Sequence, residues 1–469
     1  MKKFLQKIED SDIRKGLYYS VLDGVLWACM FGVSENYIVP FVILFGASVM
    51  QVSLLQGLSQ LALGIAHLLG TKVLSLFKNR RQLSVITCRL HALTWVFVFA
   101  LTAWTKNPWF AVVFFVAGFF FGNISGPSWL SWMNDLMPRE IRGEYWGRRN
   151  RVMGITQLFS ISFAGIFLQI AKSHNFETLA YGILFNLGFL FRYGSSLFLK
   201  RQHEPPMLVT EESKSFKFHI FIEKLFTTNF GRFVLFYILL SFTINLTSPI
   251  IPVYLLSKLK FNYLQYTVIV MIFSISNLLF MTYWGPLSDK FGNYRILIVT
   301  ACTIPFLALG WTLFRSFPLL IFHQFFAGFT MAGFNLAQAN YIFDAVRREN
   351  VSKIMGYFNM LNTLMIFLGT VAGGFLYEVF NAFQVEFWIF NPYTLVFLIS
   401  AVLRGIVVLC FRKGFREVRQ CAPSPPGSYF LIEKPAQDVL DAIQIMNVKV
   451  FQTPFQARKN REREKSDSR

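Results

Sequence analysis

The sequence predicts an all-α integral membrane protein with twelve transmembrane helices, arranged as two six-helix bundles related by pseudo-two-fold symmetry. Three observations lead to this prediction. Hydrophobic residues make up 54% of the 469 residues and charged residues only 15%, which leaves too little polar surface for a water-soluble domain. Apolar segments long enough to cross a bilayer recur along most of the chain. Finally, the two halves of the sequence repeat each other.

Twelve apolar segments are long enough to cross a membrane, and we number them α1 to α12. A hydrocarbon core of about 30 Å requires roughly 20 helical residues. Several segments exceed that length, which predicts tilted helices or helices that extend beyond the lipid. The predicted ranges are, in order, 18–45, 51–77, 83–104, 109–135, 150–171, 178–199, 230–256, 263–284, 296–314, 317–344, 353–379 and 387–411.

The internal repeat has an offset of about 210 residues and extends over all six helix pairs. Pro40 in α1 matches Pro252 in α7, and Arg192 in α6 matches Arg404 in α12, both at an offset of 212. Further matched pairs are Asp135 with Asp344, Gly147 with Gly356, and Asn150 with Asn359. Two parallel six-helix repeats related by an axis along the membrane normal explain this register.

The repeat divides the chain into four segments. Residues 1–199 form the N-terminal bundle, 200–229 a cytoplasmic linker, 230–412 the C-terminal bundle, and 413–469 a cytoplasmic tail. The linker is hydrophilic, and its residues 216–226 are predicted to form an amphipathic helix at the membrane surface. The tail is polar and proline-containing, which favours disorder or weak attraction to anionic lipid over a specific partner site.

Basic residues set the predicted orientation. The chain contains 45 Lys and Arg residues, and only five of them fall on the side opposite the N-terminus: Lys106, Lys172, Lys258, Lys260 and Arg315. The positive-inside rule therefore places both termini in the cytoplasm. The net charge of +20 follows from this topology. We expect no nucleic-acid partner, because the chain offers no soluble domain with a basic face.

A polar motif lies between α8 and α9 and is predicted to be a cytoplasmic loop. It comprises Gly285, Leu287, Asp289, Lys290, Gly292 and Arg295, in the pattern G-x-L-x-D-[RK]-x-G-x-x-[RK]. This pattern resembles the loop motif of the major facilitator superfamily. The resemblance implies a monomeric secondary transporter in a bacterial inner membrane, with alternating access to a site at the midplane. A small-molecule substrate and the lipid bilayer are its expected partners.

The resemblance also implies that Asp289 forms a conformational gate. In the family, the corresponding acid holds a helix of the opposite half, which would here be α5. We predict that Asp289 pairs with Arg148 or Arg149, that the pair favours the outward-facing state, and that Gly285 lets α8 approach its neighbour. The alternative is a solvated loop. The corresponding segment of the first half, 70–81, keeps a glycine and its basic end but has no acid.

Two acids lie within α1, where a charged side chain usually faces a cavity or a partner. Glu35 lies well away from the cytoplasmic end and is the best candidate for a substrate-binding or coupling carboxylate, with a structural, hydrogen-bonded acid as the equal alternative. Asp23 lies nearer the cytoplasm, where a closing contact and proton coupling are equally open. Asn36 is a candidate hydrogen-bonding group, unless it satisfies the backbone near Pro40.

By resemblance to the family, α1, α4, α7 and α10 line the central path. Polar residues on the last three of these helices are therefore candidate substrate ligands, with hydrogen bonding between helices as the alternative. They are Asn123 on α4, Asn245 on α7, and Asn335 and Gln338 on one face of α10. Arg192 and Arg404 occupy equivalent positions in the repeat, which favours a structural role for both.

The sequence offers no pattern for an enzyme or for a bound cofactor. The histidines are scattered, the five cysteines show no metal-ligand spacing, and no phosphate-binding loop is present, so we expect no metal and no ATP hydrolysis. Secondary active transport of a small solute is the predicted function, with the substrate, direction and coupling ion, including protons, left open. The rival is a non-transporting membrane sensor or assembly factor that kept the fold.

Overall fold

The structure is a computed structural model, and it describes residues 2–5, 8–206, 218–346, 351–387 and 390–419. Apart from one β-bridge between Phe387 and Phe390, the regular structure in these ranges is helical. Twelve helices are long and apolar enough to span a membrane, as predicted. They are Ser11–Leu44, Val49–Gly70, Arg80–Thr105, Pro108–Leu136, Arg142–Ser173, Glu177–Arg201, Asn229–Lys258, Tyr263–Phe291, Asn293–Leu313, Phe317–Ala345, Lys353–Ala382 and Pro392–Phe411.

Several helices begin earlier or end later than their apolar segments do. The first is α1, which begins at Ser11 because the Asp10 carboxylate accepts hydrogen bonds from the N–H groups of Asp12 and Ile13, at 2.8 and 3.0 Å. These bonds lower the pKa of Asp10, since they stabilise its charged form. Hydropathy marks where a helix enters lipid, whereas capping decides where it begins.

The largest difference concerns the motif between α8 and α9, because most of it is not a loop. Helix α8 continues through Phe291, α9 begins at Asn293, and Gly292 alone makes the turn with φ of 87° and ψ of 154°. Only glycine adopts this conformation readily. The prediction of a loop from Gly285 onward is therefore wrong. A helix that projects beyond the lipid into water can carry polar residues as readily as a loop can.

Helices α1 and α7 are both interrupted at equivalent positions of the repeat. In α1 an α-helix ends at Val33, a 3-10 turn covers Glu35–Tyr37, and a short helix follows over Ile38–Leu44. Helix α7 breaks after Asn245 and resumes at Ile250–Val253. The prolines Pro40 and Pro252 explain both interruptions, since proline lacks an N–H and clashes with the carbonyl four residues earlier.

Parts of the linker and of the tail pack against the C-terminal bundle. A helix over Phe218–Thr227, close to the predicted amphipathic helix, buries Phe221 and Leu225 against α7 and its neighbours. Phe415 in the tail is 1% exposed and makes edge-to-face contacts with aromatic rings of α7 and α10. The rest of the predicted tail, residues 420–469, lies outside the described residues, as do 207–217 of the linker.

The two bundles pack together on one side of the molecule and separate on the other. We call the side with the beginning of α1 and the end of α12 the basic face, and the side with the α1–α2 and α7–α8 connections the opposite face. One hydrophobic cluster near the opposite face contains residues of both bundles. The clusters near the basic face each belong to a single bundle. Among the described residues, the bundles thus share a hydrophobic cluster near the opposite face, and the clusters near the basic face do not join them.

Candidate transport site

A cavity of about 350 Å³ lies where the two bundles meet, beside the interruptions of α1 and α7. Both interrupted helices contribute residues to it, and α2, α4, α8 and α11 supply the rest. Its polar lining residues are Glu35, Asn36, Gln56, Ser59, Gln60, Asn245, Ser248, Tyr266 and Thr370. Phe31, Phe115 and Phe119 provide a wall of aromatic rings. The cavity therefore combines hydrogen-bonding groups with apolar surface, as small-molecule sites do.

Glu35 is the acidic side chain of this cavity. The 3-10 turn at the interruption of α1 turns it toward the space between the bundles. In the described ranges its carboxylate has no hydrogen bond and no ion pair, and no Lys, Arg or His lines the cavity with it. A carboxylate without a partner at this depth is costly. It suits a residue that binds a cation or a proton during a functional cycle.

Two predicted asparagines line the same cavity and keep polar atoms available. The side-chain Nδ2 of Asn36 is buried and has no hydrogen-bond partner in the described part of the chain. Asn245 donates from Nδ2 to the Ser241 carbonyl at 2.8 Å on its own helix, which leaves its Oδ1 as an acceptor. The unsatisfied Asn36 amide is the kind of group that a bound solute would complete.

The two predicted ligands on α10 do not line this cavity. Helix α10 packs mainly against α8 and α9, and Asn335 is exposed while Gln338 is half-buried. Sequence spacing shows which residues share one face of a helix, but only packing decides which face meets the cavity. Gln56 and Gln60 on α2 and Thr370 on α11 were not predicted as site residues. Their one-turn spacing on an apolar helix was an available signal.

Asp23 and Asn123 line a second cavity of about 280 Å³ inside the N-terminal bundle, nearer the basic face. Asp23 accepts a hydrogen bond from the Ser195 hydroxyl at 2.5 Å, and its Oδ2 lies 3.8 Å from Nη2 of Arg149. Arg192 donates to the same hydroxyl at 3.2 Å and to Nδ1 of His91 at 3.2 Å. Asp23 thus belongs to a buried network that lines a different cavity from the one that Glu35 lines.

The predicted pair between Asp289 and α5 is not formed in this conformation. Arg148 pairs with Glu144 at 2.6 Å on its own helix, and Arg149 is buried beside Asp23. Asp289 pairs instead with Arg419 at 3.0 Å, at the end of its own bundle. A Cβ built on Gly147 or Gly285 would have no neighbouring element within 4 Å. The basic-face ends of α5 and α8 are therefore apart.

The remaining motif residues serve the turn itself. Gly292 has the positive φ that the one-residue turn requires, and Arg295 lies over the Phe291 ring with 5.9 Å between Cζ and the ring centroid. Gly285 makes no close approach to another helix here. A close approach of α8 to its neighbour at Gly285 in a second conformation stays a prediction.

Two acids that the sequence interpretation missed hold the basic-face ends of α3 and α9. Glu204 accepts hydrogen bonds from the N–H groups of Arg80 and Arg81, at 2.9 and 3.3 Å. Glu417 accepts from the N–H of Tyr294 at 2.8 Å. Both acids follow the last helix of their bundle, and the offset of 213 between them fits the repeat. Extending the repeat beyond α6 and α12 would have found them.

The equivalent arginines Arg192 and Arg404 have different partners. Arg404 is 5% exposed and donates from Nη2 to the Ile244 carbonyl at 3.3 Å and to the Thr247 hydroxyl at 2.8 Å. It thereby stabilises the interruption of α7, since a cation favours the carbonyl end of a helix. Arg192 joins the Asp23 network instead. The structural role predicted from the repeat is therefore seen for Arg404, which caps a neighbouring helix, but the two arginines do not share it.

Comparisons with known proteins agree with this architecture. Residues 233–437 match the sequence profile of the Major Facilitator Superfamily. No curated protein matches the chain in sequence. The fold resembles that of a variant of the nucleoside transporter NupG, with 15% identity over 85% of this chain and 100% of that chain and a TM-score of 0.65.

Two further solved structures share the fold. A D-xylose–proton symporter is 14% identical over 88% of this chain and 100% of its own, with a TM-score of 0.65. An auto-inhibited POT family peptide transporter is 11% identical over 87% and 99%, with a TM-score of 0.66. Residues 233–437 thus resemble the Major Facilitator Superfamily in sequence, and the chain shares its twelve-helix fold with these solved membrane transporters.

Proposed function

We propose that this transporter moves a small uncharged or cationic solute by alternating access to the central cavity, with Glu35 as the coupling carboxylate. The observation that carries the proposal is the unpaired Glu35 carboxylate at the junction of the two bundles. The basic face is the cytoplasmic face in this proposal, because of the positive-inside rule. The protein then acts as a monomer in a bacterial inner membrane, with both termini in the cytoplasm.

The lining of the cavity supports this substrate class. Glu35 is the charged residue among the described residues that line it, so an anionic solute would meet repulsion that no cation in the lining offsets. Amide and hydroxyl groups offer hydrogen bonds to a neutral solute, and the phenyl rings offer a flat apolar surface or a cation–π partner. The similar solved structures carry nucleosides, xylose or peptides according to their names, so the fold does not choose among solutes.

Flux measurements in proteoliposomes test the proposal. A labelled panel of neutral, cationic and anionic metabolites is offered with and without a proton gradient, in both orientations. We expect flux of at least one neutral or cationic compound and none of any anion. Flux confined to anions would contradict the proposed class. No flux for any compound under any gradient would favour the rival, a sensor or assembly factor.

The packing of α5 against α8 supports a second conformation that is closed at the basic face. Near the opposite face, Gln169 accepts from the N–H of Tyr263 at 3.2 Å, and farther along Leu278 lies 3.7 Å from the Cβ position of Gly154. Extending this antiparallel register places Asp289 opposite the first turns of α5. Arg148 is half-exposed there, whereas Arg149 is committed to Asp23. We therefore favour Arg148 as the partner of Asp289 in the closed state.

Asp289→Asn is expected to increase exposure of the basic-face cleft. The closed state loses its proposed Arg148 pair, an exposed ion pair worth roughly 0.2–1 kcal/mol, whereas in the open state Arg419 keeps Asp344 as a partner. The open population should therefore rise relative to the closed one, by at most about fivefold. The measurement is the rate at which a membrane-impermeant maleimide labels Gly147→Cys in a cysteine-free background. Glu223→Gln, an exposed acid of the linker helix, is the control. If Asp289→Asn leaves the labelling rate of Gly147→Cys unchanged or lowers it, Asp289 does not act as a gate.

A further inference from the structure

The charged side chains that line the second cavity carry one more positive than negative charge. Arg149, Arg192 and Asp23 line it, and they are 6%, 8% and 6% exposed. Two guanidinium groups against one carboxylate leave a surplus of one positive charge. His91 does not add to it, because its Nδ1 accepts a hydrogen bond from Arg192 and the ring is then neutral. A buried surplus charge costs several kcal/mol unless something pairs with it.

Donor groups of both arginines remain unused. Arg149 donates from Nε to the Ser20 carbonyl at 3.2 Å, but its Nη2 is 3.8 Å from Asp23, too far for a hydrogen bond. Arg192 makes no ion pair within 4.0 Å among the described residues; Ser195 stands between it and Asp23. Nη2 of Arg192 therefore has no hydrogen bond to an acceptor in the described part of the chain, and Arg149 keeps N–H donors beyond those it directs to the Ser20 carbonyl and the Tyr145 hydroxyl.

A third donor lies beside these arginines. Trp129 lines the cavity, its ring centroid is 5.1 Å from Cζ of Arg149, and its indole N–H is buried without a hydrogen-bond partner. An indole nitrogen can only donate. Unused donors from two cations and one indole thus surround a space of about 280 Å³, several times the roughly 30 Å³ that one water occupies.

We propose that this cavity is a binding site for a small monovalent anion, either a halide or the carboxylate of a small organic acid. Such an anion neutralises the surplus charge and accepts from Arg149, Arg192 and Trp129. The site is distinct from the central cavity: Asp23 precedes Glu35 by twelve residues, roughly 18 Å along a helix. The proposal is independent of which solute the central cavity carries, because it depends only on the N-terminal bundle.

Anion titration of the purified full-length protein tests the site. Sodium chloride and sodium formate are added separately to protein in a chloride-free buffer with a bulky anion, and binding is followed by calorimetry and tryptophan fluorescence. We expect saturable binding of one anion per chain, unchanged when sodium is replaced by potassium or choline. Binding of chloride, of formate or of both supports the site and shows whether it takes a halide, a carboxylate or either. The absence of saturable binding of either anion overturns it.

Variants with opposite expected effects separate the site from a general loss of folding. Arg149→Gln and Arg192→Gln should each weaken binding tenfold or more, because each removes a positive charge and its donors. Asp23→Asn should tighten binding about tenfold, since it removes the negative charge that competes with the anion. Misfolding cannot produce that gain.

The matched control is Arg89→Gln in the same bundle. Arg89 donates to Ser196 at 3.3 Å and lies over the Tyr193 ring, but it does not line the cavity. The anion affinity of Arg89→Gln should stay within about twofold of that of the unaltered protein. Equal loss of anion affinity in Arg89→Gln and Arg192→Gln would mean that only the net charge of the protein matters, which would overturn the site. An Asp23→Asn variant with no gain in affinity would also overturn it.

Discussion

Glu35→Gln is expected to abolish proton-driven transport while leaving exchange of an uncharged solute across the membrane largely intact. Glutamine has the size and most of the hydrogen-bonding capacity of glutamate, but it cannot take up and release a proton. Glu35 has no ion pair and no hydrogen bond among the described residues, and no cation lines the cavity with it. A proton or a cationic group is therefore the species that its charge would bind.

The measurement is gradient-driven flux of the substrate identified by the metabolite panel, compared with exchange at equal proton concentrations. We expect the gradient-driven component to fall more than tenfold, the change that corresponds to losing about 1.4 kcal/mol of driving interaction. Glu223→Gln is the matched control, since Glu223 is an exposed acid on the linker helix. Its gradient-driven flux should equal that of the unaltered protein.

Asp23→Asn distinguishes the two acids of α1. If Asp23→Asn abolished gradient-driven flux and Glu35→Gln did not, coupling would lie in the buried network of the N-terminal bundle, and the role assigned to Glu35 would be wrong. Loss in Glu35→Gln alone would leave Asp23 to the anion site and to the positioning of Arg149.

Gly57→Leu is expected to open the opposite face. Helices α2 and α11 pack closely there because glycines lie at their crossing: a Cβ on Gly57 would come within 3.2 Å of the Phe367 ring, and one on Gly374 would come within 2.5 Å of the Ser53 hydroxyl. Overpacking of such a contact costs roughly 1–3 kcal/mol, which shifts the equilibrium between two conformations about 5- to 150-fold. In the proposed conformation that is open at this face, the contact would be absent.

The separation of the bundles can be measured by electron–electron resonance between spin labels at Ser173 and Ser316, both exposed at the opposite face. We expect Gly57→Leu to populate a longer distance that is minor in the unaltered protein. Gly405→Leu is the control, because a Cβ there meets no atom within 4 Å. Identical distance distributions for the two variants would show that the α2–α11 contact does not hold this face closed.

The central cavity was predictable only in part. Glu35, Asn36 and Asn245 were recognised because polar residues in an apolar helix stand out, and all three line the cavity. Asn335 and Gln338 satisfied the same criterion on α10, yet they do not line it. A polar residue within a span requires a polar partner or water. A hydrogen bond to its own helix, a second cavity or the substrate path can each supply one, so the residue alone does not show which of these it faces.

The predicted partner of Asp289 shows a second limit. The motif identified an acid that needs a cation, and the structure gives it Arg419 of its own bundle. Arg419 follows α12, more than a hundred residues from Asp289, and neither repeat symmetry nor hydropathy marks it. Local sequence cannot show which cation pairs with Asp289 in a given conformation, because Arg419 and the arginines of α5 can each neutralise its carboxylate.

The sequence by itself determined the membrane class, the twelve spans and the repeat, because hydrophobic length and period depend on composition along the chain and every span must satisfy its own backbone hydrogen bonds. It also contained the prolines that interrupt α1 and α7. Only the tertiary structure decided which helix faces converge on the cavity, that Arg149 belongs to Asp23, and that the bundles meet at the opposite face. These features depend on distances between segments far apart in the chain, which helix packing alone establishes.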